Sequence, residues 1–515
     1  MAGRVRTAIF SVAAAMVLSK ALGFLREIVI ARQFGTSPEY DLYLVAVMVP
    51  ALVYGMISYA CFYLFVPHLT HRMTPDGSGE IDLKRVWPTV NLTLAAALVV
   101  AALIWLLAPL YMQLWSRDFP AESFATIVFY CRLTAIMVVL GTSEAFMRAF
   151  LNVKRVYAYP AASFAVFNLV LILAVVLFSK SLSIGALALG LLGGLFLQNV
   201  YLFLRVLGFH PLAWFTLRLG GPEARAFLAT AGLLVLVDLL NRSYVMIDRY
   251  FAPGFGDGVV SALYYAYVIV QMPDAVIGLA VGTVAFPLLS AAFDTEQHRS
   301  FAAVYRKTVE YCLLISAPLA VFLFANAETV VRLVFERGVF DASSTEMTAA
   351  LLKAYIPSIV ALFLISTSIR AGYSAGLAPW VLLLAAGALI LKAAGMMVLP
   401  GMMGYPGLAA ATAVSHVVYG VALVILVMTR TGIPDRGPFV WVMARMLLAA
   451  AVVWPLLLVI DGWLGEAGFP SGTSGDLIRL ITSGLATAVL YTVLLGLAGL
   501  SNYVRDIFRL REARV

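Results

Sequence analysis

Apolar residues fill most of this chain in long runs, and short polar segments separate the runs. Most runs hold about 20 or more residues, the length that an α-helix needs to cross the hydrocarbon core of a bilayer. They do not show the short alternating strands that are typical of a membrane β-barrel. We therefore predict an all-α polytopic membrane protein with about fourteen transmembrane helices. The predicted spans are 8–33, 41–69, 87–115, 123–150, 158–179, 183–205, 226–251, 259–290, 308–327, 347–374, 379–400, 405–429, 439–461 and 477–500.

The first predicted span carries three charged residues, Lys20, Arg26 and Glu27, in an otherwise apolar sequence. Each charge at bilayer depth costs about 2.5 kcal/mol or more, so such residues face protein or a water-filled cavity. The three share one helix face with Ser19 and Gly23. A similar stripe lies on the seventh span, formed by Asp238, Asn241, Arg242, Asp248 and Arg249. Two such stripes predict a central cavity rich in basic side chains.

The basic residues of the polar segments predict the orientation. Arginine and lysine are concentrated in alternate segments, from Arg4 and Arg6 at the start to Arg505 and Arg509 in the tail. Because cytoplasmic loops carry such an excess, fourteen spans place every basic-rich segment on the cytoplasmic side, with both termini. The segment 328–346 mixes apolar residues with charges and predicts a short interfacial helix on the outer side.

Several residue pairs recur at a nearly constant spacing. Arg148 near the end of the fourth span matches Arg370 near the end of the tenth, 222 positions later, and Pro50 matches Pro273. Because each repeat holds six spans, the halves share one orientation and are related by an axis along the membrane normal, as in alternating-access transporters. The matching prolines predict helix bends. The predicted domains are an N-lobe at 1–215 (helices 1–6), a C-lobe at 222–432 (helices 7–12), and helices 13–14 with a basic cytoplasmic tail at 439–515.

Composition supports this class and argues against catalysis. The chain is 63% hydrophobic and 12% charged, whereas a soluble domain carries about 25% charged residues. The three cysteines lie inside apolar runs, and the five histidines are scattered, which gives no spacing for a metal site or a disulfide framework. No P-loop or nucleophile–base pattern stands out. We predict a transporter without a cofactor or metal, driven by the membrane potential or an ion gradient, and with no nucleic-acid partner.

A cationic cavity suits an anionic substrate, since the planar fork of arginine matches phosphate oxygens. The candidate substrate-binding residues from charge and position are Lys20, Arg26, Glu27, Asp41, Arg148, Arg242 and Arg370. Arg148 and Arg370 end their spans on the predicted cytoplasmic side, so they fit equally well as positive-inside anchors. Asp238 and Lys392 are predicted to form an ion pair between the seventh and eleventh spans.

The string Ser19-Lys20-Ala21-Leu22-Gly23-Phe24-Leu25-Arg26-Glu27, followed by Ala31-Arg32-Gln33-Phe34-Gly35 and Asp41, resembles the opening of the MurJ (MviN) lipid II flippases. That family belongs to the multidrug/oligosaccharidyl-lipid/polysaccharide exporter superfamily. The resemblance implies two six-helix lobes around a cationic cavity. It also implies that the chain moves lipid II, an undecaprenyl-pyrophosphate-linked peptidoglycan precursor, to the outer leaflet of the bacterial inner membrane for cell-wall synthesis. The expected partners are this anionic glycan lipid, membrane lipids, and enzymes of cell-wall or polysaccharide synthesis, with the flippase itself a monomer.

The chain departs from the family pattern at several cavity positions. Lys20 replaces an arginine, Glu27 replaces an aspartate, and Tyr54-Gly55 replaces an arginine pair. Tyr267 lies in a segment where the family has Asp-Arg. Tyr54 and Tyr267 therefore join the candidates, because aromatic hydroxyls suit sugar stacking and hydrogen bonding. These departures leave open a flippase for an exopolysaccharide or O-antigen repeat unit. A cation-coupled multidrug exporter, which would carry net-acidic lobes, fits less well.

Overall fold

The computed structural model describes residues 2–73, 80–208, 221–273, 298–431, 436–466, 472–503 and 505 of the 515-residue chain. These residues are almost entirely helical and contain no β-strand, although an isolated bridge pairs Met73 with Ile81. The helices are α1 (Ala2–Phe34), α2 (Pro38–Ala46), α3 (Met48–Thr70), α4 (Leu83–Trp115), α5 (Ser123–Thr134), α6 (Met137–Val153), α7 (Ala158–Leu182), α8 (Gly185–Leu207), α9 (Pro222–Phe251), α10 (Val259–Pro273), α11 (His298–Ala325), α12 (Ala327–Phe335), α13 (Ala342–Tyr355), α14 (Pro357–Ser374), α15 (Ala378–Met403), α16 (Pro406–Arg430), α17 (Arg436–Glu466) and α18 (Thr473–Leu497).

Each of the fourteen predicted spans contains helix, so the all-α membrane fold is confirmed. In the described part of the chain, ten helices are long and apolar enough to cross a membrane, or eleven if the bent pair α13–α14 counts as one span. Helices α1, α9 and α10 account for the other predicted spans. Residues 274–290 of the eighth predicted span lie outside the described residues. The count of fourteen is consistent with this structure and stays a prediction.

Two predicted spans are divided near a proline. Helix α2 ends at Ala46 and α3 begins at Met48, just before Pro50. Pro50 has no N–H to donate to the carbonyl of Ala46 four residues earlier, which explains the break at this point. The tenth span bends by 48° between α13 and α14, where Pro357 is the first residue of the second helix. The structure thus interrupts the second span beside Pro50, and the bend predicted there stays a prediction.

The chain forms two compact units. The first comprises Met1–Ser261 with Arg337–Phe340, and its core lies among α3, α4, α6 and α8, with Phe65 and Phe150 fully buried. Helix α9 packs on this unit, since the Phe227 ring lies 4.7 Å from the Phe65 ring. The internal repeat places α9, the seventh span, in the second lobe. The predicted lobes follow the repeat in the sequence and are not the same division as the two compact units. The lobe boundaries stay a prediction.

The second unit comprises Ala262–Glu336 with Asp341–Val515. Its core joins α11, α14, α16, α17 and α18, and includes the fully buried Tyr305 and Phe439. The two helices outside the predicted repeat, α17 and α18, thus pack against α11. The short α12 buries Ala327, Val331 and Phe335, which recur every four residues. It is the amphipathic helix predicted from the sequence, and its position at an outer interface stays a prediction.

Candidate functional site

Helix α7 presents a polar and aromatic face to its neighbours in the first unit. Ser163, Phe164, Phe167 and Asn168 lie on this side, because residues three and four apart point in the same direction along a helix. The Ser163 hydroxyl donates to the Pro160 carbonyl at 2.8 Å, and Asn168 Nδ2 donates to the Phe164 carbonyl at 2.9 Å. These bonds hold both polar side chains on the helix. Two arginines from other helices meet this face, one turn apart.

The first arginine is Arg26 of α1. Its Nη1 donates to Asn168 Oδ1 at 3.0 Å, and its Nε donates to Glu27 Oε1 at 3.0 Å, with Nη2 on the same oxygen. The guanidinium carbon lies 5.9 Å from the centre of the Phe167 ring. The Arg26 side chain is 24% exposed, whereas the Glu27 side chain is 4% exposed. The charged stripe of α1 is therefore packed on α7, and its arginine is more accessible than its carboxylate.

The second arginine is Arg148 of α6, whose Nε lies 2.9 Å from Oε1 of Glu144 one turn earlier. The guanidinium lies between two rings, 4.8 Å from the centre of Phe62 and 5.1 Å from that of Phe164. Glu144 is fully buried, and the Arg148 side chain is 17% exposed. Gln198 Nε2 of α8 donates to Glu144 Oε1 at 2.9 Å. This site thus repeats the arrangement at Arg26, with a buried carboxylate behind a more accessible arginine.

Tyr54 of α3 completes the environment of Glu144, since its hydroxyl donates to Glu144 Oε2 at 3.3 Å. Its ring crosses α6 at Gly141, where a Cβ atom would lie 2.3 Å from Tyr54 Cδ2 and 2.6 Å from Ser58 Oγ. Only glycine leaves room for the ring at this point. Tyr54, predicted to contact sugar, is half-buried and hydrogen-bonded inside the first unit.

Helix α9 brings a third arginine to the first unit. Arg242 Nε donates to Asp238 Oδ2 at 2.6 Å, and the guanidinium covers Gly55, where a Cβ would lie 2.5 Å from Nη1. Asp238 thus has Arg242 as a partner on its own helix. Lys392, the partner predicted from the sequence, belongs to the second unit, so that pair stays a prediction.

Asp41 has a clear structural role. Its Oδ2 accepts the N–H of Gly258 at 2.8 Å, and its Oδ1 accepts the N–H of Ser261 at 2.7 Å. These N–H groups lie at the start of α10 and have no partner within the helix, so the carboxylate caps the helix. Arg249 Nη1 donates to the Val260 carbonyl in the same turn. The cap accounts for Asp41 without substrate, and its predicted contact with substrate stays a prediction.

Three residues singled out from the sequence, Tyr267, Arg370 and Lys392, belong to the second unit. Arg370 is half-buried on α14, and the Tyr267 ring packs 5.6 Å from the ring of the buried Tyr355. Lys392 is fully buried on α15, where its electrostatic neighbour is His416 of α16. The roles predicted for these three residues stay predictions.

Sequence reasoning missed Glu144, Gln198 and Ser163. Glu144 had a usable signal, since it is a lone acid four residues before Arg148 in an apolar run. Gln198 and Ser163 had none, because single uncharged polar residues are common in membrane helices. Lys20, by contrast, was predicted, and it lies exposed on α1.

The electrostatics of the site are those of paired charges. Arg26, Arg148 and Arg242 each have an acidic partner, in Glu27, Glu144 and Asp238. An incoming phosphate would therefore meet arginines that already have a carboxylate partner. No group of three or more metal-binding side chains occurs in the part of the chain that the structure describes.

Comparison with known proteins gives a consistent relationship. A family profile described as lipid II flippase MurJ matches residues 30–470. The lipid II flippase MurJ of Burkholderia cenocepacia is 25% identical over 485 residues, covering 90% of this chain and 92% of the relative. The probable lipid II flippase MurJ of Rhizobium meliloti is 27% identical over 518 residues, covering 95% of this chain and 94% of the relative.

Solved structures show the same fold. A structure described as lipid II flippase MurJ in an inward closed conformation superposes with a TM-score of 0.79 at 19% identity, over 97% of this chain and 99% of that one. An inward-facing multidrug resistance MATE transporter of the MOP superfamily superposes with a TM-score of 0.67 at 13% identity, over 82% of this chain and 98% of that one. Because the family profile spans most of the sequence, this chain belongs to the lipid II flippase MurJ family.

Proposed function

We propose that this protein is a flippase for lipid II, which it carries from the cytoplasmic to the outer leaflet by alternating access, for cell-wall synthesis. Relatives named as lipid II flippases match at least nine-tenths of the chain, which supports this substrate. The alternative substrate, an exopolysaccharide or O-antigen repeat unit, is not favoured by these relatives. The MATE neighbours share the fold, and they give no argument for drug transport.

The observation that carries the proposal is that two arginines, one from α1 and one from α6, contact the same face of α7. Arg26 meets this helix at Phe167 and Asn168, and Arg148 meets it at Phe164. These contacts are one turn apart, which is about 5.4 Å along the axis. Two linked phosphates can bridge such a separation, and arginine binds phosphate through parallel N–H donors. The α7 site thus suits the pyrophosphate of an undecaprenyl-linked glycan.

Other parts of the sequence prediction belong to the same proposal. Lys20, Tyr54, Arg242, Tyr267 and Arg370 would contact the glycan or its phosphates in a cavity between six-helix lobes. The protein would work as a monomer in the bacterial inner membrane with both termini in the cytoplasm, near enzymes of cell-wall synthesis. The basic-rich segments on one side of the fourteen spans support this orientation.

Complementation tests the proposal. The gene would be expressed in a bacterium whose resident lipid II flippase is depleted, and growth would be measured for the wild type, Arg26→Ala, Arg26→Lys and Arg132→Ala. Arg132 is the matched control, because this half-buried arginine contacts Trp105 of α4 through its guanidinium rather than a residue of α7. Membrane levels of each variant would be measured by immunoblot.

We expect growth with the wild type and Arg132→Ala, and none with Arg26→Ala at an equal protein level. Arg26→Lys should restore growth only in part, since lysine keeps the charge and loses the paired donors. A well-expressed wild type that never restores growth would contradict lipid II as the substrate. Full growth with Arg26→Ala would contradict the assigned site.

A further inference from the structure

Glu144 is a buried charge that the internal repeat does not explain. Arg148 has an equivalent in Arg370, whereas the position equivalent to Glu144 is Ser366. The second half of the chain thus keeps the arginine and lacks the carboxylate. A carboxylate in a membrane helix is costly unless it is paired or functional. Glu144 is therefore a feature of the α7 site rather than of the fold.

The groups around Glu144 make Arg148 its direct cationic partner. The charged and titratable side chains that face it are Arg148 from its own helix, Tyr54 from α3 and, behind Tyr54 at Gly55, Arg242 from α9. Among the described residues, an uncharged donor to Glu144 is Gln198 of α8, which also donates to Ser163 of α7. From α4, Trp87 packs on Phe146 of the same helix as Glu144.

Arg148 can exchange partners without losing its position. The rings of Phe62 and Phe164 cover its two faces, and such contacts stabilise a guanidinium while its N–H donors remain available in the plane. Because Arg148 is 17% exposed and Glu144 is 1% exposed, an arriving anion reaches the arginine and not the carboxylate. A bound phosphate would then compete with Glu144 for the same cation.

We propose that Glu144 takes up a proton when the pyrophosphate of the substrate binds Arg148, so that this site couples one proton to one substrate. The inference rests on the proposed function. A buried carboxylate that loses its cationic partner is strongly destabilised. A proton taken from the water on the side where the substrate enters neutralises the Glu144 carboxylate. Tyr54 and Gln198 hold the neutral carboxyl in place. When the substrate leaves, Arg148 pairs with Glu144 again and the proton is released.

Glu27 is less suited to this role. Both of its hydrogen bonds come from Arg26 and fall on Oε1, while the buried Oε2 has no hydrogen-bond partner among the described residues. If Arg26 turned toward a phosphate, no donor would keep the Glu27 carboxyl in position. Glu144 has two neutral donors in addition to its arginine, so its site persists in both charge states.

Binding measurements with lipid II as the probe test this coupling. The full-length protein in nanodiscs would be titrated at pH 6, 7 and 8, with calorimetry in two buffers of different ionisation enthalpy to count protons. Lipid II is suited to this, because a disubstituted pyrophosphate lacks the ionisation that phosphomonoesters show near pH 6.

The variants are Glu144→Gln, which imitates the protonated carboxyl, and Glu310→Gln. Glu310 is the matched control, since this buried carboxylate also accepts from an arginine four residues away, Arg306, and from a tyrosine, Tyr503, outside the α7 site.

For the wild type and Glu310→Gln we expect uptake of up to one proton, and a Kd that rises by up to about tenfold per pH unit. Glu144→Gln should bind lipid II at every pH as tightly as the wild type does at pH 6, with no proton uptake. Wild-type binding without proton uptake, or uptake that persists in Glu144→Gln, would overturn the coupling and leave the proposed function intact. A folded wild type that binds no lipid II at any pH would overturn both.

Discussion

Neutralising Arg148 should destabilise the protein more than neutralising its partner. Arg148→Gln leaves Glu144, whose side chain is 1% exposed, as a buried charge without its cation. Breaking a buried pair in this way costs about 3 kcal/mol or more. Glu144→Gln leaves Arg148 between two rings and 17% exposed, so we expect a loss of about 1–2 kcal/mol. The double variant leaves no buried charge, and its loss should stay near about 2 kcal/mol, which makes the coupling energy about 2 kcal/mol.

The free energy of unfolding would be measured by titration with SDS in mixed micelles, with tryptophan fluorescence as the signal. The exposed pair Arg332–Glu328, with side chains 37% and 57% exposed, is a matched control. Its coupling energy should stay below about 1 kcal/mol, as is usual for surface ion pairs. Losses at Glu144 and Arg148 that add within about 0.5 kcal/mol would refute the buried pair.

Three further changes test other parts of the structure. Gly141→Ala should lower the free energy of unfolding by about 1–3 kcal/mol and impair transport, because the added Cβ would displace the Tyr54 ring. In the same SDS titration, Gly387→Ala is the control and should leave stability unchanged or raise it, because the space at its Cβ is open. Asp41→Asn should cost about 1–2 kcal/mol by weakening the cap of α10, and unchanged stability would contradict that cap. The Ser344 N–H in the first turn of α13 lowers the pKa of the Asp341 carboxyl that caps this helix. The cap therefore stabilises the protein fully above the ordinary pKa of aspartate, and this stability is lost as the pH falls through the lowered pKa. Asp341→Ala should thus cost about 1 kcal/mol at pH 7 and less in acid, which thermal unfolding at several pH values would check.

Hydropathy and repeat spacing predicted the helical membrane fold well, because both depend on the length and composition of segments rather than on side-chain packing. The charged stripe of the first span marked Arg26 and Glu27 as candidates. The structure pairs them with each other, and their contact with substrate stays a prediction. The stripe predicted side chains that line a cavity rich in basic groups, whereas Glu27 is buried and Arg26 bonds to Asn168 of α7. Helix periodicity gives the face of a residue, and the neighbouring helix on that face comes only from the tertiary structure.

The remaining site residues depended on contacts between distant segments. Tyr54 reaches Glu144 from 90 residues away, and Gln198 reaches it from 54 residues away. Asp41 was predicted near substrate because it is acidic and close to the charged stripe. Its two bonds to the start of α10 span more than 200 residues, and no local pattern indicates them.

The most direct test of the central claim is the movement of fluorescent lipid II across vesicles that contain the purified protein. Wild-type vesicles should expose lipid II to an external quencher faster than protein-free vesicles, and Arg26→Ala vesicles should match the protein-free rate while Arg132→Ala matches the wild type. Equal rates for the wild type and Arg26→Ala would contradict the role of the arginine site on α7. No movement with folded wild-type protein would contradict lipid II flipping itself.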